Sequence, residues 1–211
     1  MTSILKADEI QDSSGNLIIK EVANAITIGA SGDTITIPSG ATITNSGTAT
    51  GFGGITVADQ WRLTSAFSMT SSTTETISSN LERVDTSGQG TIGTAMSESS
   101  GVFTFPSTGI YLVSFNASYG LNNSSRWIEF TIQATTNNSS YSHMAMQNTF
   151  IQQTDSNTTY SAGYANSLID VTDTANVKVR FGVARAANTV SLTGSSSENQ
   201  TYFTFIRLGD T

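Results

Sequence analysis

His143 is the single histidine of this 211-residue chain, and there is no cysteine. A nucleophilic triad therefore has one imidazole and no thiolate to draw on. His143 stands in Tyr141-Ser142-His143-Met144-Ala145-Met146, a strand-like run without a neighbouring carboxylate. That setting reads as a surface or interface histidine rather than a general base. A zinc site of ordinary type lacks a second histidine. Asp170 and Asp173 could offer oxygen ligands to a hard cation, but EF-hand spacing is missing and Asp173 opens a turn. Glu75, Glu82 and Glu98 are isolated from one another, so no acid–base pair of a polysaccharide-cleaving enzyme can be read from them. The glycine clusters lack the Lys and the strand–helix setting of a phosphate-binding loop. Trp61 and Trp127 could stack on sugars, although rings of that size are more often buried anchors. These residues predict no catalytic site, no metal and no cofactor.

The elements that would carry such residues are strands. Only 12% of the chain is charged, and Ser and Thr make up about 30% of it, well above ordinary usage. Spaced Val, Ile and Phe among Ser, Thr, Gly and Asn predict an all-β protein, and no long Ala/Leu/Glu/Lys run predicts a helix. The net charge of −7 with nine scattered Lys and Arg argues against nucleic acid. No apolar stretch reaches the ~20 residues of a membrane span. Residues 1–9 lack the basic start and apolar run of a signal peptide, which predicts synthesis in a cytoplasm without export by that route. Sequons at Asn116, Asn123, Asn138, Asn157 and Asn199 are expected by chance in so Ser/Thr-rich a chain.

Large side chains divide the sequence near residue 55. Both Trp, all six Tyr and every Phe except Phe52 lie beyond it. Residues 1–24 read as an attachment segment. Residues 25–54 repeat Ile-Thr-Ile units closed by Gly, with apolar stripes at Ile26, Ile28, Ile35, Ile37 and Ile43, and end in the Gly51-Phe52-Gly53-Gly54 hinge. One chain cannot bury such stripes, whereas three wound together can, so the segment predicts a thin trimeric β-stem. Residues 55–211 read as many short strands at 60–68, 73–84, 90–97, 101–106, 109–119, 126–136, 141–152, 158–170, 176–185, 188–193 and 200–208. Their spacing predicts a sandwich or barrel.

Two strands stand out because both of their faces are apolar. Tyr111, Val113, Phe115, Ala117 and Tyr119 share one side of the strand from 109 to 119, and Ile110 and Leu112 the other. Tyr202 to Leu208 repeats the pattern and is expected in the middle of a sheet. A half-wet antiparallel strand would alternate apolar with polar, so both must be covered twice.

Phe103, Pro106, Gly109 and Tyr111 form a Phe-x-x-Pro-x-x-Gly-x-Tyr pattern that resembles the signature of the C1q/TNF-like jelly-roll superfamily. Residues 127–135, 167–179 and 202–208 resemble its later strands in order, although Thr174-Ala175-Asn176 stands where Gly-Asp is common. The resemblance implies a jelly-roll head that forms a tight homotrimer, with Phe103, Phe105, Tyr111, Val113, Phe115, Phe203 and Phe205 as its core and trimer interface. Ile10-Gln11-Asp12-Ser13-Ser14-Gly15 and the Ile-Thr-Ile repeat are similar to the start of fibre and structural proteins of tailed phages. Together these imply a non-enzymatic virion protein: a short fibre or spike on the virion surface, joined to other virion proteins by its N-terminal segment and touching a host glycan or surface protein. The alternative is a capsid decoration protein with a purely structural role.

Overall fold

The computed structural model describes residues 9–23, 25–44 and 54–211. Contacts divide the chain into two units, Met1–Phe52 and Gly53–Thr211. Among the described residues there is no helix.

In the first unit, β1 (Glu9–Gln11), β2 (Leu17–Val22) and β3 (Ala25–Ile28) form an antiparallel meander. The β1–β2 turn is made locally. The Asp12 carboxylate accepts the amides of Ser14 at 2.8 Å and Asn16 at 2.9 Å, and Gly15 takes φ +83°. These bonds hold the Asp12 carboxyl below its usual pKa, the side-chain amide of Asn16 first among them. Only the first of the expected Ile-Thr-Ile strands forms. Ile26 and Ile28 lie on β3, which pairs with β2, whereas Ile35, Ile37 and Ile43 lie outside any ladder. Pro38 withholds a donor beside Ile37, and no strand lies alongside to supply the partners. All five isoleucines are exposed in the single chain. Residues 1–8 of the attachment segment, and the hinge apart from Gly54, lie outside the described residues.

The second unit packs two antiparallel sheets around one core. Its strands are β4 (Ala58–Leu63), β5 (Phe67–Met69), β6 (Glu75–Thr76), β7 (Leu81–Arg83), β8 (Ser97–Ser99), β9 (Val102–Thr104), β10 (Gly109–Leu121), β11 (Ser125–Thr135), β12 (Ser142–Ile151), β13 (Thr159–Val171), β14 (Lys178–Arg185), β15 (Val190–Leu192) and β16 (Tyr202–Gly209). One sheet runs β5-β15-β10-β16-β4-β7, with β13 on the other edge of β10; the second runs β12-β11-β14-β9-β8, with β6 beside β14. β16 is central, between β10 and β4. The later strands follow the apolar alternation closely. The expected strand 73–84 breaks in two around Asn80 at φ +61°, and 90–97 keeps only an Ile92–Ala58 bridge before β8.

Aromatic rings join the sheets. Phe181 of β14 stacks on Phe203 of β16 with centroids 4.1 Å apart, and Phe103 of β9 meets Phe205 of β16 at 5.1 Å. Phe115 of β10 meets Phe130 of β11 edge-on at 5.6 Å. The Phe-x-x-Pro-x-x-Gly-x-Tyr residues have physical reasons to be what they are. Phe103 and Tyr111 are core rings, and the Tyr111 hydroxyl donates to the Ser107 carbonyl at 3.1 Å, pinning the turn. Gly109 sits at φ +137°, where a Cβ would come within 2.5 Å of the Gly209 carbonyl.

A ring lost from this seam leaves a void that the rigid sheets cannot close. Phe181→Ala is expected to cost about 3–5 kcal/mol in chemical denaturation. At Gly163 of β13 a Cβ would lie 2.3 Å from the Phe130 ring. Gly163→Ala is therefore expected to lower Tm, and Phe130→Leu in the same chain to recover part of the loss.

Candidate assembly surface

Strand alternation sends the odd-numbered residues of β10 inward and the even-numbered ones out. The same registers carry those outward positions across four strands. Leu168 of β13, Leu112 of β10, Ile206 of β16 and Ala58 of β4 are consecutive partners, so they form one apolar row. The next row is polar: Asn166, Ser114, Thr204 and Gln60, with Gln60 donating to Thr204 Oγ1 at 2.9 Å. Tyr164, Asn116 and Tyr202 make a third, which ends at Arg62. The Asn166 side-chain amide donates to the Tyr164 hydroxyl at 2.8 Å and, with Ser114, lowers its pKa. Beyond these, the Tyr160 ring lies over Gly120, where a Cβ would be 2.9 Å from it.

The outer face of the other sheet is finished differently. Thr131, Gln133 and Thr135 point outward yet are buried. Thr74 crosses over Gly182, closing to 2.5 Å of a Cβ built there, and bonds Glu129 at 3.1 Å. Gln133 accepts from Arg180 at 2.6 Å, and the Arg180 guanidinium lies 4.0 Å over the Tyr141 ring. Burial of that ring raises the Tyr141 pKa against the pull of Arg180. The chain thus covers one outer face with its own polar groups and leaves an apolar row uncovered on the other. β12 and β13, the outermost strands of the two sheets, add Met144, Met146 and Phe150 to Tyr160, Tyr164 and Leu168, with Phe150 64% and Leu168 62% exposed. Met144 and Leu168 line a groove of about 350 Å³ between these edges.

The residues singled out from the sequence fall as follows. Phe103, Phe105, Tyr111, Val113, Phe115, Phe203 and Phe205 are all at most 2% exposed within one chain. They are core, and a copy of the chain cannot reach them. As expected they form the core; on the same strands the outward set, Leu112, Ile206 and Tyr202, holds the accessible surface. The signal was present in their alternation, since Ile110, Leu112, Ile206 and Leu208 are too apolar for a wet face.

The titratable residues have structural partners. Glu75 accepts the Thr70 amide at 2.6 Å, and Glu98 the Gly101 amide at 2.6 Å. Asp173 accepts the Ala175 amide at 2.7 Å, while His143 and Asp170 are exposed on β12 and β13. Among the described residues no three His, Asp or Glu side chains converge. Trp61 packs edge-on against Phe103 at 5.5 Å and donates to buried Asp59 at 3.1 Å, so it is an anchor; Trp127 is half-buried on β11.

Arg62 carries a role that its sequence context did not reveal. Its side chain is fully buried and makes five bonds: to Glu82 at 2.7 Å, Asp85 at 2.7 Å, Thr86 at 2.8 Å, Gln89 at 3.2 Å and the Ser196 carbonyl. One guanidinium thereby fixes the loops 84–90 and 195–198 at the edge of the apolar face. Arg62→Lys keeps the charge but not the planar fork, and is expected to cost about 3 kcal/mol, the order of one or two charge-assisted bonds. Limited proteolysis should then cut first within residues 84–90.

No protein-family model matches the chain, and no curated protein matches it. Solved structures do. Eiger, a TNF of S. frugiperda, superposes with a TM-score of 0.53 at 12% identity, over 75% of this chain and 96% of its own. Murine APRIL superposes with a TM-score of 0.52 at 12% identity, over 72% of this chain and 98% of its own. At that identity the likeness is one of architecture, and the chain has the TNF-like jelly-roll fold.

Proposed function

We propose that the chain is a non-enzymatic, homotrimeric structural protein of a tailed-phage virion, a short fibre whose jelly-roll head meets the host surface. The observation that carries the trimer is the pair of uncovered surfaces on one head. The broad face offers the Leu168–Leu112–Ile206–Ala58 row, and the adjacent β12 edge offers Met144, Met146 and Phe150. Two different apolar surfaces on one subunit suit a head-to-tail contact, which closes into a ring when the rotation allows. The C1q/TNF resemblance supports closure at three. The phage-like N-terminal motifs support the virion assignment, and a trimeric head would turn weak loop contacts with a host glycan or protein into avid ones.

Light scattering at micromolar concentration is expected to give three times the 22.2 kDa chain mass. Leu112→Glu combined with Phe150→Glu puts charge on both surfaces and should yield folded monomers by circular dichroism and mass. A monomeric native chain would sink the trimer. Reconstruction of the particle reads the location: density at the tail supports the fibre, and density at capsid three-fold positions supports a decoration protein instead.

A further inference from the structure

We propose that the outer face of the β13–β10–β16 strands carries a binding slot for a short neutral oligosaccharide, framed by Tyr160, Tyr164 and Tyr202. One chain builds the slot by itself, so it stands whether or not three chains meet. Tyr160 and Tyr164 share the outward side of β13 and lie four residues, or ~13 Å, apart, with exposed Ala162 between them. Both rings stand well into solvent, Tyr160 69% and Tyr164 46% exposed. The registers place Asn116 between Tyr164 and Tyr202, and Ser118 opposite Ala162. A cavity of about 380 Å³ lies over this floor, with Tyr164, Tyr202, Gln147 and Gln200 around it. A second, of about 330 Å³, takes up at Gly120, the next outward residue of β10, and includes Tyr160, Asn122, Ser191 and Thr193. The polar row Asn166–Ser114–Thr204–Gln60 separates the slot from the apolar Leu112 row.

The rings are set before any ligand arrives. Asn166 bonds the Tyr164 hydroxyl, and Gly120 leaves room for the Tyr160 ring, which a Cβ there would meet at 2.9 Å. Side chains already fixed lose little freedom on binding. A sugar ring has C–H groups on its faces, which rest against an aromatic π-cloud, and hydroxyls on its rim, which both donate and accept. Asn116, Ser118 and Gln147 answer those hydroxyls, because amide and hydroxyl side chains also do both. Charge selects a neutral sugar. No Asp, Glu, Lys, Arg or His lines either cavity. At the rim Gln200 donates to Glu198 at 2.8 Å, and Arg62, which ends the Tyr202 row, is buried against Glu82 and Asp85. An acidic saccharide finds no free cation there and meets a carboxylate instead. A proline-rich peptide also favours aromatic grooves, but its prolines bring carbonyl acceptors without donors and leave the acceptors of the floor unanswered.

Saturation-transfer NMR and calorimetry on the full chain test this, with maltotriose, mannotriose, galactotriose and triacetylchitotriose as probes. At least one of these trisaccharides is expected to bind with a millimolar or tighter Kd. Tyr164→Ala and Tyr160→Ala should each weaken that binding about tenfold, and Tyr164→Phe, which keeps the ring, should retain most of it. Ala162→Phe fills the slot at an exposed position and should abolish binding, although it adds aromatic surface. Circular dichroism confirms that each variant folds. Failure of all these trisaccharides to bind overturns the proposal. Binding that survives Ala162→Phe marks a merely sticky aromatic surface and also overturns it. Tighter binding of sialyllactose, or binding of a proline decamer but of no trisaccharide, does the same. None of these results touches the trimer, which light scattering reads separately, and a monomeric mass leaves the slot standing.

Discussion

Strand β10 is bonded along both of its edges, to β13 over its whole length and to β16 over residues 110–116. A strand held in this way can place its side chains only above and below the sheet. Its inward set is Tyr111, Val113, Phe115, Ala117 and Tyr119, and these rings and branches reach across to β11 and β14 to make the seam that holds the sandwich together. The outward set is then forced into a line with its neighbours. Because the registers of β13, β16 and β4 are fixed by the same seam, Leu168, Leu112, Ile206 and Ala58 must fall side by side. The apolar outer face follows from the arrangement of the core, and no separate device builds it.

Polar groups decide where that face ends. Asp59 is buried yet accepts from Arg83 at 3.1 Å, from the Trp61 indole and from the Met96 amide at 2.9 Å. Arg62, one residue further from Trp61, points the other way and gathers two loops. A buried charge that loses a partner is costly, so these clusters tolerate few alternative loop paths. Arg62 holds its two loops where the Tyr164–Asn116–Tyr202 row ends, while the Asp59 cluster sits on the inward side of β4, opposite Phe205.

Much of this was legible in the sequence because β-strands advertise themselves by alternation. The long strands from β10 to β14, the central place of β16 and the all-β class follow from which residues are apolar and at what spacing. The side that faces inward did not follow, because a two-residue period labels two faces without naming the inner one. Tyr111, Phe115 and Phe203 read as core and interface at once for that reason, and the ring-to-ring contacts with Phe105, Phe130 and Phe181 place them inside. The early strands were harder for another reason. Glu75 turns back to bond the amides of Thr70 and Ser71, and Asn80 takes a left-handed backbone, so local hydrogen bonding breaks a run that looked continuous. Arg62 was invisible because its partners lie between 20 and 134 positions away. In the N-terminal unit the repeat suggested self-similar strands, but pairing went backward to β2.

The placement of β16 has a consequence for how the protein is made. Gln60 and Thr204 are hydrogen-bonded across β4 and β16 although 144 positions separate them. Translation delivers β4 long before β16 exists, so until then β4 and β10 lack the strand that lies between them, and the Leu112 row has a gap where Ile206 belongs. Contacts of such separation also close slowly, since the chain must give up loop entropy before any of them forms. A ribosome that stops early therefore releases a product without a finished apolar row. The order of strands in the sheet thereby acts as a length check: the row closes only in chains that have been read through to β16.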